Sequence, residues 1–163
     1  MVLAASVSTA LAQGRDWDAD FDEDKKPWKE IEAGIPSYPR TEDLVPFDPG
    51  TVSAHRFYVD ARSLSIGDDG VVRYTLVVKA AGGATNITFE GIRCELRQLK
   101  YYAVGRADGS WARARNAQWR RIGPREVDRH HHTLYADYLC SGKSPVGSAR
   151  EIVQLLRSAA PTK

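Results

Sequence analysis

No run of apolar residues in this chain approaches the roughly 18 that a membrane-spanning helix needs. Several catalytic and nucleotide signatures are also missing. There is no GxSxG elbow, no phosphate-cradling glycine loop, no dinucleotide fingerprint, no HExxH and no CxxC. These absences remove the common routes to a serine hydrolase, a nucleotide enzyme, a zinc peptidase or a thioredoxin-like protein. Internal repeats are lacking, and the formal net charge is only +2. So small an excess, with no nucleic-acid motif beside it, argues against DNA or RNA as the partner. Cysteine is scarce: Cys94 and Cys140 are the two in the chain.

The first twelve residues, Met1 to Ala12, are apolar or small and uncharged, and end in Ala10-Leu11-Ala12. A small-x-small triplet after an apolar stretch is what signal peptidase cuts, here between Ala12 and Gln13. Residues 1–12 therefore read as the remnant of a secretion signal whose true start lies upstream, since no Lys or Arg opens it. No cysteine stands directly after this run, where Gln13 lies, so soluble export is expected rather than lipid anchoring. Export into an oxidising compartment makes a Cys94–Cys140 disulfide the expected state of the two thiols. Such a bond closes a loop of 47 residues counting both ends, worth roughly 4 kcal/mol on the chain-entropy model. The competing role, a thiolate nucleophile beside a histidine, would strand the other thiol.

The remaining length, roughly 150 residues, suits one compact domain. Its charge is segregated. Residues 16–30 carry seven acids against three lysines, whereas residues 93–129 carry nine arginines and Lys100 against four acids. Residues 13–50 read as an extended acidic and proline-punctuated arm, with a short helical turn over Trp28–Ala33 and anchors at Trp28, Tyr38, Val45 and Phe47. Residues 51–160 read as a single α+β domain, built on a four- to five-stranded antiparallel meander. Phe57, Val59 and Ala61 alternate along a first strand, and Val72, Tyr74, Leu76 and Val78 along a second. Ile87 and Phe89 share one parity while Ile92, Cys94 and Leu96 share the other, which predicts a bulge near Gly91. Turns are expected at Gly67–Gly70, Ala80–Gly83 and Asp108-Gly109. Helical periodicity begins after Gly123-Pro124, and Ser148 with Glu151 forms a capping-box pattern ahead of a final helix.

The phrases Gly70-Val-Val-Arg-Tyr-Thr75, Phe89-Glu-Gly-Ile-Arg-Cys94, Tyr102-Ala-Val-Gly105, Asp108-Gly-Ser-Trp111, Trp119 and Tyr138-Leu-Cys140 occur in order. Together they resemble the cryptic neisserial protein family of exported proteobacterial proteins. The resemblance implies periplasmic or envelope residence, and supplies no activity and no catalytic residues to carry over. It implies lipoprotein status for some members, a pattern from which this chain departs.

The strongest binding candidate is the set Trp111, Arg113, Arg115, Trp119, Arg120 and Arg121. Arginine forks match carboxylates and phosphates, and interleaved indoles stack on rings or guanidinium planes. An acidic envelope protein, lipopolysaccharide phosphates or an anionic glycan all fit that chemistry. The competing reading has the tryptophans as core plugs and the arginines paired with acids of the arm. A rival function is a small periplasmic hydrolase using Asp60, Glu90 or Glu95 with a histidine. His130-His131-His132 invites a metal, but neighbours on a helix point about 100° apart and cannot all converge, so no metal or cofactor is expected. A deep pocket gathering the carboxylates and histidines would favour catalysis, and a basic patch with the acids scattered would favour binding.

Overall fold

A computed structural model of the chain describes residues 27–123 and 128–160. The expected signal remnant and most of the acidic cluster fall outside the described residues. The described part is an α+β fold: an antiparallel meander sheet with C-terminal helices packed on one face. Its strands are β1 (Leu44–Phe47), β2 (Arg56–Ile66), β3 (Val71–Lys79), β4 (Thr85–Arg93), β5 (Gln98–Gly105), β6 (Trp111–Arg113) and β7 (Arg120–Arg121). The order is β1-β2-β3-β4-β5-β6, with β7 also pairing with β5. Helix α1 (Arg129–Thr133) runs into a π-helical segment, Leu134–Leu139. A small hairpin of β8 (Cys140–Ser141) and β9 (Ser144–Pro145) leads to α2 (Ala149–Ser158).

The meander has six strands in line rather than four or five. The extra one is β1, four residues with Pro46 inside, which the proline-rich arm conceals. Proline tolerates an edge strand because only one side of the backbone must pair, and β1 pairs on one side, with β2. No helical turn forms over 28–33; residues 27–40 run without regular structure, as the prolines and Gly34 favour.

The turns follow their residues. Gly70 N–H donates to Gly67 O at 2.9 Å and Gly83 N–H to Ala80 O at 3.0 Å, each glycine taking a left-handed φ of +74° and +89° respectively. The β4–β5 turn closes the same way, with Arg97 N–H donating to Cys94 O at 3.2 Å, but Arg97 holds φ +53°. That conformation costs a non-glycine residue about 1 kcal/mol. The guanidinium offsets it by reaching His132 Nδ1 at 2.6 Å and lying 5.4 Å from the Tyr135 ring centre.

On the helix side Val72, Tyr74, Leu76, Ile92 and Leu99 pack against Leu134, Leu139, Ile152 and Leu156. Ile152 and Leu156 sit four apart on α2, whose start carries the expected capping box: Ser148 Oγ accepts from Glu151 N–H, and Glu151 Oε2 accepts from Ser148 N–H. Cys94 and Cys140 are disulfide-bonded, their Cα atoms 5.6 Å apart, so the β4–β5 turn is tied to the end of the helical segment. Residues Val71 to Val77 of β3 are all buried, so both faces of the sheet are covered. This changes the account of the parity switch in β4. That strand pairs with β3 without interruption from Thr85 to Arg93. Phe89 faces away from the helices and Ile92 faces toward them. The irregularity lies on β5, where Tyr102 is the extra residue between Ala103, opposite Phe89, and Tyr101, opposite Glu90. Among the described residues no helix is long and apolar enough to cross a membrane.

Candidate functional site

Register decides what the second face of the sheet displays. One cross-strand row reads Val71, Arg93, Gln98, Arg121, and the next reads Arg73, Gly91, Lys100. Arg113 stands opposite Ala103 and Trp111 opposite Gly105. Side chains alternate along strands, so Arg73, Arg93, Lys100, Arg113, Arg121 and Trp111 all project from the face that carries no helix. This basic surface carries the arm.

Residues 28–31 make a series of specific bonds there. The Trp28 indole N–H donates to Asp69 O at 2.9 Å, and the Arg93 guanidinium lies 3.8 Å from the ring centre. Glu30 receives three donors: Lys100 Nζ at 2.8 Å, Tyr102 Oη at 2.9 Å and Trp119 Nε1 at 3.0 Å. Ile31 N–H donates to Asp69 Oδ2 at 2.9 Å, and Ile31 O accepts from Arg73 Nη2 at 3.0 Å. Asp69 and Arg73 also bond each other at 2.6 Å. Farther along, Tyr38 packs on Trp111 with ring centres 5.4 Å apart and donates its hydroxyl to Arg106 O at 2.7 Å. Burial works to raise the Glu30 carboxyl, but the bonds from Lys100, Tyr102 and Trp119 and the Lys100 charge outweigh it. Glu30 is held below the usual carboxylate range. Asp69 is lowered for the same kind of reason, burial being overcome by Arg73 and two backbone N–H groups.

The six candidate residues divide. Trp111 and Trp119 are half-buried beneath the arm, while Arg113, Arg115 and Arg121 are exposed. No ion pair involves these three arginines among the described residues. Arg120 leaves the group: it stands opposite Leu99 on the helix side, where it donates to Tyr101 Oη at 3.2 Å and Asp128 Oδ1 at 3.0 Å. Two adjacent strand residues cannot share a face. Of the residues that seat the arm, Trp28 is an expected anchor and Trp119 a binding candidate, whereas Glu30, Asp69, Arg73, Arg93, Lys100 and Tyr102 lie outside the candidate set. The signal for them was the charge segregation between arm and strands, which has no spacing of its own.

The three carboxylates considered for catalysis point to three places. Asp60 lies on the arm side in a cleft of about 290 Å³ with Arg40, Asp43 and Arg62; burial raises its carboxyl above the usual range. Glu95 sits in the β4–β5 turn, exposed and paired with Arg93. Glu90 is sealed on the helix side, 0 % exposed, accepting from Tyr74 Oη at 3.0 Å and from the Thr88 hydroxyl, with His131 Nε2 at 2.9 Å. Burial would raise Glu90, and the His131 charge and these hydrogen bonds hold it low instead. A carboxylate and a histidine do meet here, but 0 % and 2 % exposure leave no room for substrate. The triple histidine is spent locally: His130 stacks between Phe57 and His131, at centre distances of 5.0 and 4.0 Å. Among the described residues no group of three or more His, Cys, Asp or Glu side chains is placed to hold a metal ion. No catalytic site is evident among them.

Compared with known proteins, residues 23–157 match the CNP1-like family. No curated protein and no solved structure matches the chain.

Proposed function

The chain belongs to the CNP1-like family, and from that premise we propose that it is a non-catalytic periplasmic or cell-envelope protein. It binds an acidic envelope partner through the arm-bearing face, with Arg113, Arg115 and Arg121, unpaired among the described residues, as the cations beside Trp111 and Trp119. The observation that carries this reading is Glu30. A carboxylate on a stretch of chain without regular structure is held on this face by an ammonium, a phenol and an indole. The face therefore has the chemistry to capture acidic side chains presented on an irregular stretch of polypeptide, which favours an acidic protein over lipopolysaccharide phosphate or glycan. The Cys94–Cys140 disulfide fits an oxidising compartment.

The test is a cross-linking pull-down from native envelope extract, comparing the parent with a variant carrying Arg113→Glu, Arg115→Glu and Arg121→Glu. Arg120 stays unchanged because its guanidinium serves Asp128. A partner with an acidic segment, captured by the parent and lost in the still-folded variant, supports the reading. Identical capture by both forms sinks it.

A further inference from the structure

Resting on that reading of the face, we infer that the strip beneath residues 28–31 is a peptide-recognition groove. It reads an indole, then two residues later a carboxylate, then the main chain of the next residue. The arm is its resident occupant, and an acidic partner segment of the same chemistry displaces it.

Three consecutive features of the occupant are each read by a different part of the sheet. The indole of Trp28 is stacked on Arg93 of β4, its N–H satisfied by the backbone carbonyl of Asp69. The carboxylate of Glu30 meets Lys100 and Tyr102 of β5 and the Trp119 indole that precedes β7. Both polar main-chain groups of Ile31 are bound, the N–H by the Asp69 carboxylate and the carbonyl by Arg73. Reading both main-chain groups alongside side-chain pockets is how proteins recognise extended peptides. Lys29, which lies between the indole and the carboxylate, is exposed. The pattern read is thus Trp-x-Glu followed by a residue whose backbone is gripped.

The receptor is built on the sheet and its β2–β3 turn rather than on the arm. Arg73, Arg93, Lys100 and Tyr102 belong to strands paired on both sides, and Asp69 is tied to Arg73 by an ion pair at 2.6 Å. The occupant is the loosely attached half. Residues 27–40 form no strand or helix, and Trp28 and Ile31 keep 37 % and 45 % of their surface in solvent. Hydrogen bonds that a competing segment can reproduce, on a stretch with so little burial, make an exchangeable contact rather than a core element.

The experiment uses the whole chain with Trp28→Ala and Glu30→Gln, which disables the occupant and leaves the receptor intact. The probe is a fluorescently labelled peptide of residues 27–34, followed by anisotropy. Saturable binding is expected to the variant. Binding to the parent should be at least about tenfold weaker, because its groove is open only part of the time. A peptide with Gln in place of its first Glu should also lose at least about tenfold, since charge-assisted bonds to Lys100 are lost. Lys100→Met in the variant should abolish binding. A folded variant that does not bind the peptide, or a parent that binds it equally well, overturns the proposal. Glu30→Gln alone is the second variant; if neither form folds cooperatively, the arm is part of the fold and the proposal falls. Peptide failure with partner capture still sensitive to Arg113, Arg115 and Arg121 would sink only the groove and leave the binding face standing.

Discussion

Replacing Glu90 tests whether the sealed polar cluster is a structural bolt between sheet and helix α1. Glu90 Oε2 takes the Tyr74 hydroxyl and lies against His131 Nε2, while Oε1 takes the Thr88 hydroxyl. Glu90→Ala removes the acceptor of all three and leaves a buried phenol and imidazole without partners. Breaking a buried charge pair by deleting one member costs about 3–5 kcal/mol. Glu90→Gln keeps the volume, an oxygen for Tyr74 and His131, and an amide against Thr88, whose hydroxyl is able to accept instead. Its cost is the lost charge assistance, about 1–2 kcal/mol. Against a usual total of about 5–15 kcal/mol, the alanine form is marginal and the glutamine form is not. Urea unfolding followed by tryptophan fluorescence measures both. Tyr74→Phe should cost less in the alanine background than in the parent, because the hydroxyl no longer has an acceptor to lose. A Glu90→Ala loss below about 1 kcal/mol, or additive behaviour with Tyr74→Phe, would refute the reasoning.

Joint Cys94→Ala and Cys140→Ala substitution should cost about 4 kcal/mol from the reopened loop, lowering Tm by roughly 8–16 °C in a domain of this size; a calorimetric shift of a degree or two would contradict it. Burial, with the neighbouring His131 charge, lowers His130 to about 4. The unfolded chain therefore takes up this proton as pH falls below about 6.5 while the folded chain does not until about 4. Stability should decline by on the order of 3 kcal/mol across that window, and His130→Gln should flatten the decline in urea midpoints measured from pH 7 to 4. A Cβ at Gly91 would lie 2.8 Å from Tyr102 Oη and Cε2 and 3.0 Å from Val71 Cγ1. Gly91→Ala should therefore cost about 1–3 kcal/mol and shift the Tyr102 hydroxyl off Glu30, seen as faster tryptic cleavage at Lys29; unchanged cleavage would remove Tyr102 from the arm's seat.

Local chemistry was legible wherever it depended on neighbours in sequence. Alternation in β2, the glycine turns after Ile66 and Lys79, and the Ser148–Glu151 cap all follow from residues a few positions apart. The disulfide followed from compartment and cysteine count. β1 escaped because Pro46 is a strand breaker everywhere except at an edge, and edge position is a property of the finished sheet. The parity change along β4 was visible but misread, since alternation says that a strand has two faces and not that both are covered. Arg120 was grouped with Arg121 by proximity along the chain, although pairing with β5 sends adjacent residues to opposite sides.

The sequence by itself determined an antiparallel meander followed by helices, a pair of cysteines to join, and an acidic segment matched by a basic one. Those follow from periodicity, turn propensity and composition, which are local or summed quantities. Tertiary structure alone decided that Arg73, Arg93 and Lys100 share one surface, that Glu30 reaches across 70 residues to Lys100, and that Glu90 is sealed rather than exposed. The reason is register. Which residues meet across a sheet depends on pairings between distant strands, and a one-residue slip would send every one of these side chains to the other face.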